Sequence, residues 1–252
     1  MSLVEAVDHG AIRELRLSRP PVNALDPVLC RAITDAVAAA ASDGVGGIVL
    51  AGGPKVFSAG LDVPCLVSLG EDRRALHEAW NAFFLAARAI ADAPMLVAAA
   101  LAGHAPAGGC VLALCCDYRV MASGPFAIGL NETQVGLVAP EGIQHLLRRT
   151  VGPHRAERLL LAGELVQADA ALAMGLVDEL VEIDHVATRA RVWLEQMLQL
   201  PRGPMLETRR IARADLVAAL EPGRIGLERF IEGWYSADTQ AALRALMARL
   251  GK

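Results

Sequence analysis

The sequence predicts an α/β fold in which parallel strands alternate with helices, followed by a region that is helical throughout. Two apolar segments, 47–51 and 95–101, have the uninterrupted composition of strands that are covered on both faces of a parallel sheet. A long amphipathic pattern over 73–93 separates them, and a loop of small residues follows each strand. Because parallel strands end at the same edge of a sheet, a right-handed βαβ unit is expected to place both loops at that edge. From about residue 186 onward only helical periodicity remains.

The elements outside this unit follow from turn and capping signals. Asp8-His9-Gly10 separates two short strand-like segments and predicts a hairpin. Asp26 followed by Pro27 has the pattern of an N-cap with proline at the first helical position, so a helix is expected to about residue 41. The other predicted strands are 118–122, 126–129 and 176–181, and the other predicted helices are 110–116, 140–150, 155–162, 168–174, 186–198, 205–220, 227–234 and 239–250. We divide the chain into a core over residues 1–185 and a helical tail over residues 186–252, which packs on the core or on a neighbouring subunit.

Composition limits the class of protein. Of the 252 residues, 54% are hydrophobic and 21% are charged, which is enough apolar material for a sizeable core. A net charge of −4 with no basic stripe argues against a nucleic-acid partner, and no uninterrupted apolar run is long enough to span a membrane. The five cysteines form no CxxC pair, which predicts reduced thiols rather than disulfides or a metal site. We therefore expect a soluble protein of a bacterial cytoplasm, without a signal peptide.

Two loops of small residues are the first candidates for a functional site. One contains Ser58-Ala59-Gly60-Leu61-Asp62, and the other contains Pro106-Ala107-Gly108-Gly109 at the start of an apolar helix. Paired glycines at a helix start remove side chains and leave the first backbone N–H groups without partners. Two such amides that converge from separate loops would form an oxyanion hole for a thioester oxygen. The alternative for the Gly-Gly pair is a tight packing turn before a buried helix.

Glu132 is the candidate base. It lies in a short polar segment, Asn131 to Gln134, between apolar residues on both sides. Burial of a carboxylate raises its pKa, and a value of roughly 6–7 suits proton transfer at neutral pH. The alternative is a glutamate in a turn that faces solvent. Asn131 either orients Glu132 or only turns the chain.

Several of these segments together resemble the crotonase (enoyl-CoA hydratase/isomerase) superfamily. The resemblance is carried by residues 57–62, by residues 106–110 and by Cys116-Asp117-Tyr118-Arg119. Residues 128–136 with Ala139-Pro140 resemble the mitochondrial type of Δ3,Δ2-enoyl-CoA isomerase. The resemblance implies a crotonase-like ββα spiral core with the C-terminal helical region, and a homotrimer or a dimer of trimers with the tail helices at the interface. It also implies an acyl-CoA substrate and no separate cofactor or metal, since coenzyme A arrives as part of the substrate.

The resemblance assigns roles to particular residues. Leu61 and Gly108 would donate the two oxyanion N–H groups, and Glu132 would be the catalytic glutamate. Substrate-binding roles, along coenzyme A or beside the reacting atoms, would fall to Ala59, Gly60, Lys55, Gly109 and Asn131. For Lys55 a contact with a phosphate and an ordinary surface position are equally consistent with the sequence.

Val111 is the departure from the hydratase pattern. Hydratases of the superfamily use two glutamates around a water, and the first follows the cysteine of the Gly-Gly-Cys motif, where this chain has Val111. One carboxylate is enough to move a double bond, so the site predicts an isomerase. A hydratase in which Glu141 replaces the missing carboxylate is an alternative, although Glu141 in the first turn of a helix also suits the helix dipole. A non-catalytic or RNA-binding relative is the third reading, and the absence of a basic stripe disfavours it.

Overall fold

The computed structural model describes residues 2–251 as two sheets surrounded by helices. The strands are β1 (Val4–His9), β2 (Ile12–Leu17), β3 (Gly47–Ala51), β4 (Leu96–Leu101), β5 (Ala105–Pro106), β6 (Tyr118–Ala122), β7 (Ala127–Gly129), β8 (Val166–Gln167) and β9 (Glu179–Val181). The helices are α1 (Pro27–Ser42), α2 (Val63–Ser68), α3 (Arg73–Ala91), α4 (Gly108–Leu114), α5 (Glu141–Val151), α6 (Pro153–Ala162), α7 (Ala168–Ala173), α8 (Val186–Met197), α9 (Arg202–Ala212), α10 (Ala214–Ala219), α11 (Pro222–Ile225), α12 (Leu227–Trp234) and α13 (Ala237–Arg249). Short 3₁₀ helices cover Glu132–Val135 and Ile183–His185.

The larger sheet has the strand order β1-β2-β3-β4-β6-β9. The hairpin pair β1 and β2 is antiparallel, and every other pairing in this sheet is parallel. All five residues of β3 and all six of β4 are buried. One face of the sheet packs on the large core that includes α1 and α3, and α8 covers the other face through Val186, Ala190 and Leu194. The prediction of parallel strands covered on both faces is therefore confirmed.

The smaller sheet, β5-β7-β8, brings two functional segments together. Ala105 pairs with Ile128 and Pro106 pairs with Gly129 in a parallel register. The amide of Ala107 also donates to the carbonyl of Gly129 at 2.8 Å. The second glycine loop therefore lies beside the segment that leads directly into Glu132.

Two predicted elements differ from the structure by more than two residues at their ends. The expected helix over 205–220 is interrupted, and α9 and α10 meet at Arg213. The Arg213 guanidinium donates to the carbonyls of Cys115 and Cys116 and forms an ion pair with Asp117, so a contact across the fold determines where the helix breaks. The expected strand over 176–181 pairs only from Glu179, because the amides of Leu176 and Val177 bond back to the last turn of α7.

Two short helices, α2 and α11, were not predicted. The Asp62 side chain accepts a hydrogen bond from the amide of Cys65 and caps α2, whose second residue is Pro64. The segment Asp62-Val63-Pro64 carries the sequence pattern of a helix start, an N-cap aspartate followed by a proline in the first turn. Over residues 2–251, no helix is both long enough and apolar enough to cross a membrane.

Candidate active site

A cavity of about 600 Å³ lies against the two loops that follow β3 and β4. Ala59 and Leu61 line it from the first loop, and Pro106 and Ala107 line it from the second. The acidic residues on its wall are Asp62 and Glu132. Asp62 is already paired, since it accepts a hydrogen bond from the Arg19 guanidinium at 2.7 Å. Most other lining side chains are apolar, which is the composition expected of a site for a partly apolar small molecule.

Glycines allow the two loops to touch. A Cβ added to Gly60 would lie 2.9 Å from the Cβ of Ala107 and 3.1 Å from the amide nitrogen of Gly108. A Cβ added to Gly109 would lie 2.5 Å from the carbonyl oxygen of Ser58. Gly60 also has a φ of +83°, a value that residues with a Cβ rarely adopt. These two glycines are thus sites of close backbone approach, and the predicted convergence of the loops is confirmed.

The amides of Leu61 and Gly108 are free to bind a ligand. Within residues 2–251, neither of them donates a hydrogen bond to a backbone or side-chain acceptor. The neighbours of Leu61 are held, because the amide of Leu25 donates to the carbonyl of Gly60 and the amide of Asp62 donates to the carbonyl of Leu25. Gly108 is the first residue of α4, where a backbone N–H has no partner within the helix.

Ala107 adopts an unusual backbone conformation immediately before Gly108. Its φ is 48° and its ψ is −121°, a combination that non-glycine residues rarely adopt. Such conformations cost about 1–3 kcal/mol and concentrate at functional sites. The surrounding contacts hold it, since the Ala107 amide is bonded to Gly129 and its carbonyl accepts from the amide of Val111. This conformation sets the direction of the Gly108 N–H.

The Glu132 carboxylate lies in the cavity wall, and one of its two oxygens has no hydrogen-bond partner among residues 2–251. Glu132 begins the 3₁₀ helix that follows β7, and its Oε2 atom is buried and makes no hydrogen bond to residues 2–251. Burial raises the pKa of Glu132 to about 7, and a hydrogen bond from its own backbone only partly offsets this. A carboxyl group with this pKa can both accept and return a proton near neutral pH. The alternative of a glutamate that faces solvent is wrong for this oxygen.

The four polar residues of the 3₁₀ segment point in two directions. Asn131 and Glu132 line the cavity, and Asn131 Oδ1 is also buried without a partner among the described residues. On the other side, Thr133 Oγ1 donates to the carbonyl of Leu160 and Gln134 Nε2 donates to the carbonyl of Ala162. The outward pair therefore anchors the turn to the end of α6, while the inward pair faces the cavity.

Val111 occupies the cavity wall beside the glycine loop. It lies three residues after Gly108 on α4, so both residues are on the same side of the helix. Val111 is buried and lines the cavity with an apolar side chain. The position at which the resemblance places a second glutamate in hydratases is thus within the cavity and carries no acid.

Glu141 lies outside the cavity in a surface ion-pair cluster. Its carboxylate accepts hydrogen bonds from Arg148 at 2.7 Å and from Arg224 at 2.7 and 2.9 Å. The hydrogen bond from Arg224 holds the pKa of Glu141 below its ordinary value. A carboxylate committed to two arginines is not available to replace the missing acid, which removes the support for the hydratase alternative based on Glu141.

The other predicted substrate contacts divide into two groups. Ala59 and Asn131 line the cavity, whereas Gly60 and Gly109 are buried between the loops. Lys55 is exposed on the first loop and does not line the cavity. A phosphate contact by Lys55 would therefore have to lie outside the cavity. In the described part of the chain, no group of three or more side chains has the arrangement of a metal site.

Sequence reasoning missed an aromatic wall. Its members come from α3 and α12, and all line the cavity: Trp80, Phe83, Phe84, Phe230 and Trp234. The Trp80 ring lies 4.3 Å from the Phe230 ring and 6.1 Å from the Trp234 ring, measured between centroids. The apolar stripe of α3 was visible in the sequence, but a stripe that lines a cavity has the same periodicity as one that packs in a core.

Comparisons with known proteins identify the family of this chain. The family model described as enoyl-CoA hydratase/isomerase matches residues 8–225. The chain is 37% identical over 202 residues to the mitochondrial enoyl-CoA delta isomerase 1 of Mus musculus, covering 79% of this chain and 69% of the mouse protein. It is 36% identical over 194 residues to a probable enoyl-CoA hydratase of Mycobacterium tuberculosis, covering 74% of this chain and 71% of that protein. The crystal structure of the human mitochondrial delta3-delta2-enoyl-CoA isomerase matches with a TM-score of 0.93 at 30% identity, covering 99% of this chain and 98% of that chain.

The chain belongs to the enoyl-CoA hydratase/isomerase family, and its fold is the crotonase fold with a C-terminal helical region. Within that family it is a crotonase-type enoyl-CoA enzyme, and its relatives include both delta isomerases and probable hydratases. The choice between these activities depends on the side chains of the cavity.

Proposed function

We propose that this enzyme is a Δ3,Δ2-enoyl-CoA isomerase, which shifts a double bond from C3 to C2 of an enoyl-CoA. One observation carries the proposal. The carboxylate of Glu132, whose Oε2 atom has no hydrogen-bond partner among the described residues, lies in a mostly apolar cavity, and Val111 occupies the position at which the resemblance places a second acid. Similarity to the mouse and human delta isomerases supports the same assignment.

In the proposed reaction, the thioester oxygen accepts hydrogen bonds from the amides of Leu61 and Gly108. Glu132 takes a proton from C2, and the electron pair of that C–H bond moves into the thioester to form a dienolate. Negative charge on the oxygen develops only at this stage, so the two fixed donors stabilise the transition state more than the bound substrate. Glu132 then returns the proton to C4, which leaves the double bond at C2 and regenerates the carboxylate.

Hydration is the second candidate, because a probable hydratase is among the relatives. Addition of water needs a base that takes a proton from the attacking water and an acid that gives a proton to C2. Val111 can neither hold nor activate water, and Glu141 is bound to two arginines. The residues therefore favour isomerisation over hydration.

Further proposals follow from the family resemblance. Ala59, Gly60, Gly109 and Asn131 hold the substrate near its thioester, and Lys55 contacts coenzyme A outside the cavity. Coenzyme A is supplied with the substrate, and the enzyme takes part in the β-oxidation of unsaturated fatty acids. We also propose a cytoplasmic enzyme, which its five free cysteines support, and a homotrimer or a dimer of trimers. Ile211 on tail helix α9 is 63% exposed and offers apolar surface for such an assembly.

The activity is tested with two substrates on the same preparation. A 3-enoyl-CoA is incubated with the enzyme, and the appearance of the conjugated 2-enoyl thioester is followed by its absorbance. A 2-enoyl-CoA is incubated separately, and the loss of the conjugated absorbance reports water addition. We expect rapid conversion of the first substrate and little change in the second. Efficient hydration, or no conversion of the 3-enoyl-CoA, would overturn the proposal.

A further inference from the structure

The last helix, α13, begins against the turn that carries Glu132. Thr239, in the first turn of α13, is buried, and its hydroxyl donates a hydrogen bond to the carbonyl of Gly136. The hydroxyl of Ser236, which caps the helix, donates to Thr239 Oγ1 at 2.9 Å. The Thr239 hydroxyl is therefore oriented from one side and bound to the turn on the other.

Gly136 ends the 3₁₀ helix that begins at Glu132. Its φ is +74°, and its amide donates to the carbonyls of Glu132 and Thr133. A Cβ added to Gly136 would lie 2.8 Å from the Cβ of Ala242 and 3.1 Å from the Cα of Thr239. The backbone of the catalytic turn thus lies directly against α13, where it meets the methyl group of Ala242 and the backbone at Thr239.

The same face of α13 reaches the cavity. Thr239, Leu243, Leu246 and Leu250 follow each other at intervals of four, three and four residues, so they lie on one side of the helix. Leu243 is buried, and Leu246 and Leu250 line the cavity that Glu132 also lines. One helix therefore holds the catalytic turn and forms part of the substrate wall.

We propose that Thr239 is a positioning residue for Glu132, because its hydroxyl fixes the carbonyl of Gly136 and with it the 3₁₀ turn that presents the carboxylate to the cavity. The inference rests on the proposed function, in which Glu132 is the base. The Glu132 Oε2 atom has no hydrogen-bond partner of its own among the described residues. Its location therefore depends on the backbone that carries it, and misplacement by about 1 Å can cost on the order of 10²-fold in rate.

The first test compares Thr239→Val with Thr239→Ser. Valine preserves the shape and removes the hydroxyl, whereas serine retains the hydroxyl. For Thr239→Val we expect kcat with a 3-enoyl-CoA to fall by about 10- to 100-fold with little change in KM, because the reacting geometry changes more than ground-state binding. Thr239→Ser should restore most of kcat. The matched control is Thr34→Val, which removes a half-buried hydroxyl bonded to the carbonyl of Cys30 on α1, away from the cavity.

The second readout does not require turnover. The side-chain carboxyls are labelled with ¹³C, and the Glu132 resonance is assigned from its loss in Glu132→Gln. In Thr239→Val we expect the measured pKa of Glu132 to move toward that of an exposed glutamate, because a loosened turn admits water to the carboxylate. Thr34→Val should leave it unchanged. This measurement remains decisive if the wild-type enzyme does not convert 3-enoyl-CoA, a result that would contradict the proposed function alone.

The proposal is overturned if folded Thr239→Val keeps both wild-type kcat and the wild-type pKa of Glu132. Failure of Thr239→Ser to restore kcat would overturn it as well, since the hydroxyl is the proposed agent. If Thr239→Val does not fold, Thr239→Ala takes its place, because alanine removes the hydroxyl and adds no volume. The same two readouts, kcat and the pKa of Glu132, then test the proposal. Unfolding of both variants would show that Thr239 maintains the fold rather than the position of Glu132.

Discussion

The carbonyl oxygen of Ser58 lies 2.5 Å from the place that a Cβ on Gly109 would occupy. The two loops of the site therefore meet backbone to backbone, and even one methyl group at residue 109 would separate them. Because each loop contributes one amide to the proposed oxyanion hole, their separation changes the distance between the two donors. The proposed chemistry therefore requires the contact between Ser58 and Gly109.

Gly109→Ala tests this condition. We expect the rate with a 3-enoyl-CoA to fall by about 10²-fold or more, because the Leu61 and Gly108 amides no longer converge on one oxygen. The added methyl group should also lower the free energy of unfolding by about 1–3 kcal/mol through overpacking. The measurements are steady-state kinetics and denaturant unfolding. Gly203→Ala is the control, because a Cβ there meets no atom within 4 Å. Wild-type activity in Gly109→Ala would contradict the two-loop site.

The pH dependence of the rate should reflect Glu132. The carboxylate must be ionised to take the proton from C2, and its pKa is raised to about 7. We therefore expect kcat/KM to fall about tenfold for each pH unit below 7 and to level off above it. The pH–rate profile of the wild-type enzyme checks this. A profile that is flat from pH 5 to pH 8 would show that a group with an ordinary carboxyl pKa is the base.

The protonation of Glu132 should also make the free energy of unfolding depend on pH. The folded protein holds the Glu132 proton up to about pH 7, whereas the unfolded chain releases it near the ordinary value of 4.5. Between these values the folded state binds more protons, so the contribution of Glu132 to the free energy of unfolding decreases as pH rises. Glu132→Gln removes this loss, which is on the order of 3 kcal/mol. We expect the variant to gain stability over the wild type between pH 5 and pH 8, as followed by denaturant unfolding at each pH. If the difference in unfolding free energy between Glu132→Gln and the wild type is the same at pH 5 and at pH 8, the pKa of Glu132 is not raised.

Introduction of a second carboxylate should bring water chemistry into the site. Val111→Glu places an acid in the cavity wall near Gly108, where Val111 is now buried. We expect addition of water to a 2-enoyl-CoA to rise by about 10²-fold over the wild type, which is within the usual contribution of a positioned acid or base. Val111→Gln matches the size without the charge and should not show this rise. Equal hydration in the two variants would mean that the absence of a carboxylate at residue 111 does not limit hydration.

The parts of the site that were predictable share local signals. The glycine loops, Glu132 and Val111 could be placed because small residues after a buried strand and an acid among apolar residues are visible within a few positions. The family resemblance then gave each of them a role. The parts that were missed depend on distant contacts. Thr239 meets Gly136 across more than a hundred residues, and the stop between α9 and α10 at Arg213 depends on Cys115, Cys116 and Asp117.

The aromatic wall was missed for a different reason. Trp80 and Phe83 on α3 and Phe230 on α12 have the spacing of ordinary core residues, and only the assembled fold shows that a cavity remains beside them. Lys55 is a related case, since its loop lines the cavity through Ala59 and Leu61, yet the Lys55 side chain lies outside the cavity. Periodicity identifies which face of an element is apolar, but it does not tell whether protein or ligand covers that face.

Glu132→Gln with a 3-enoyl-CoA tests the central claim most directly, because the account requires one carboxylate to remove and return the proton. Glutamine fills the same space without a base, so binding of an unreactive saturated acyl-CoA, measured by calorimetry, should remain within a few-fold of the wild type. We expect formation of the conjugated 2-enoyl thioester to fall by at least about 10³-fold, within the range attributed to a positioned general base. If Glu132→Gln binds the acyl-CoA and still converts the 3-enoyl-CoA at a rate near that of the wild type, Glu132 is not the base and the account is wrong.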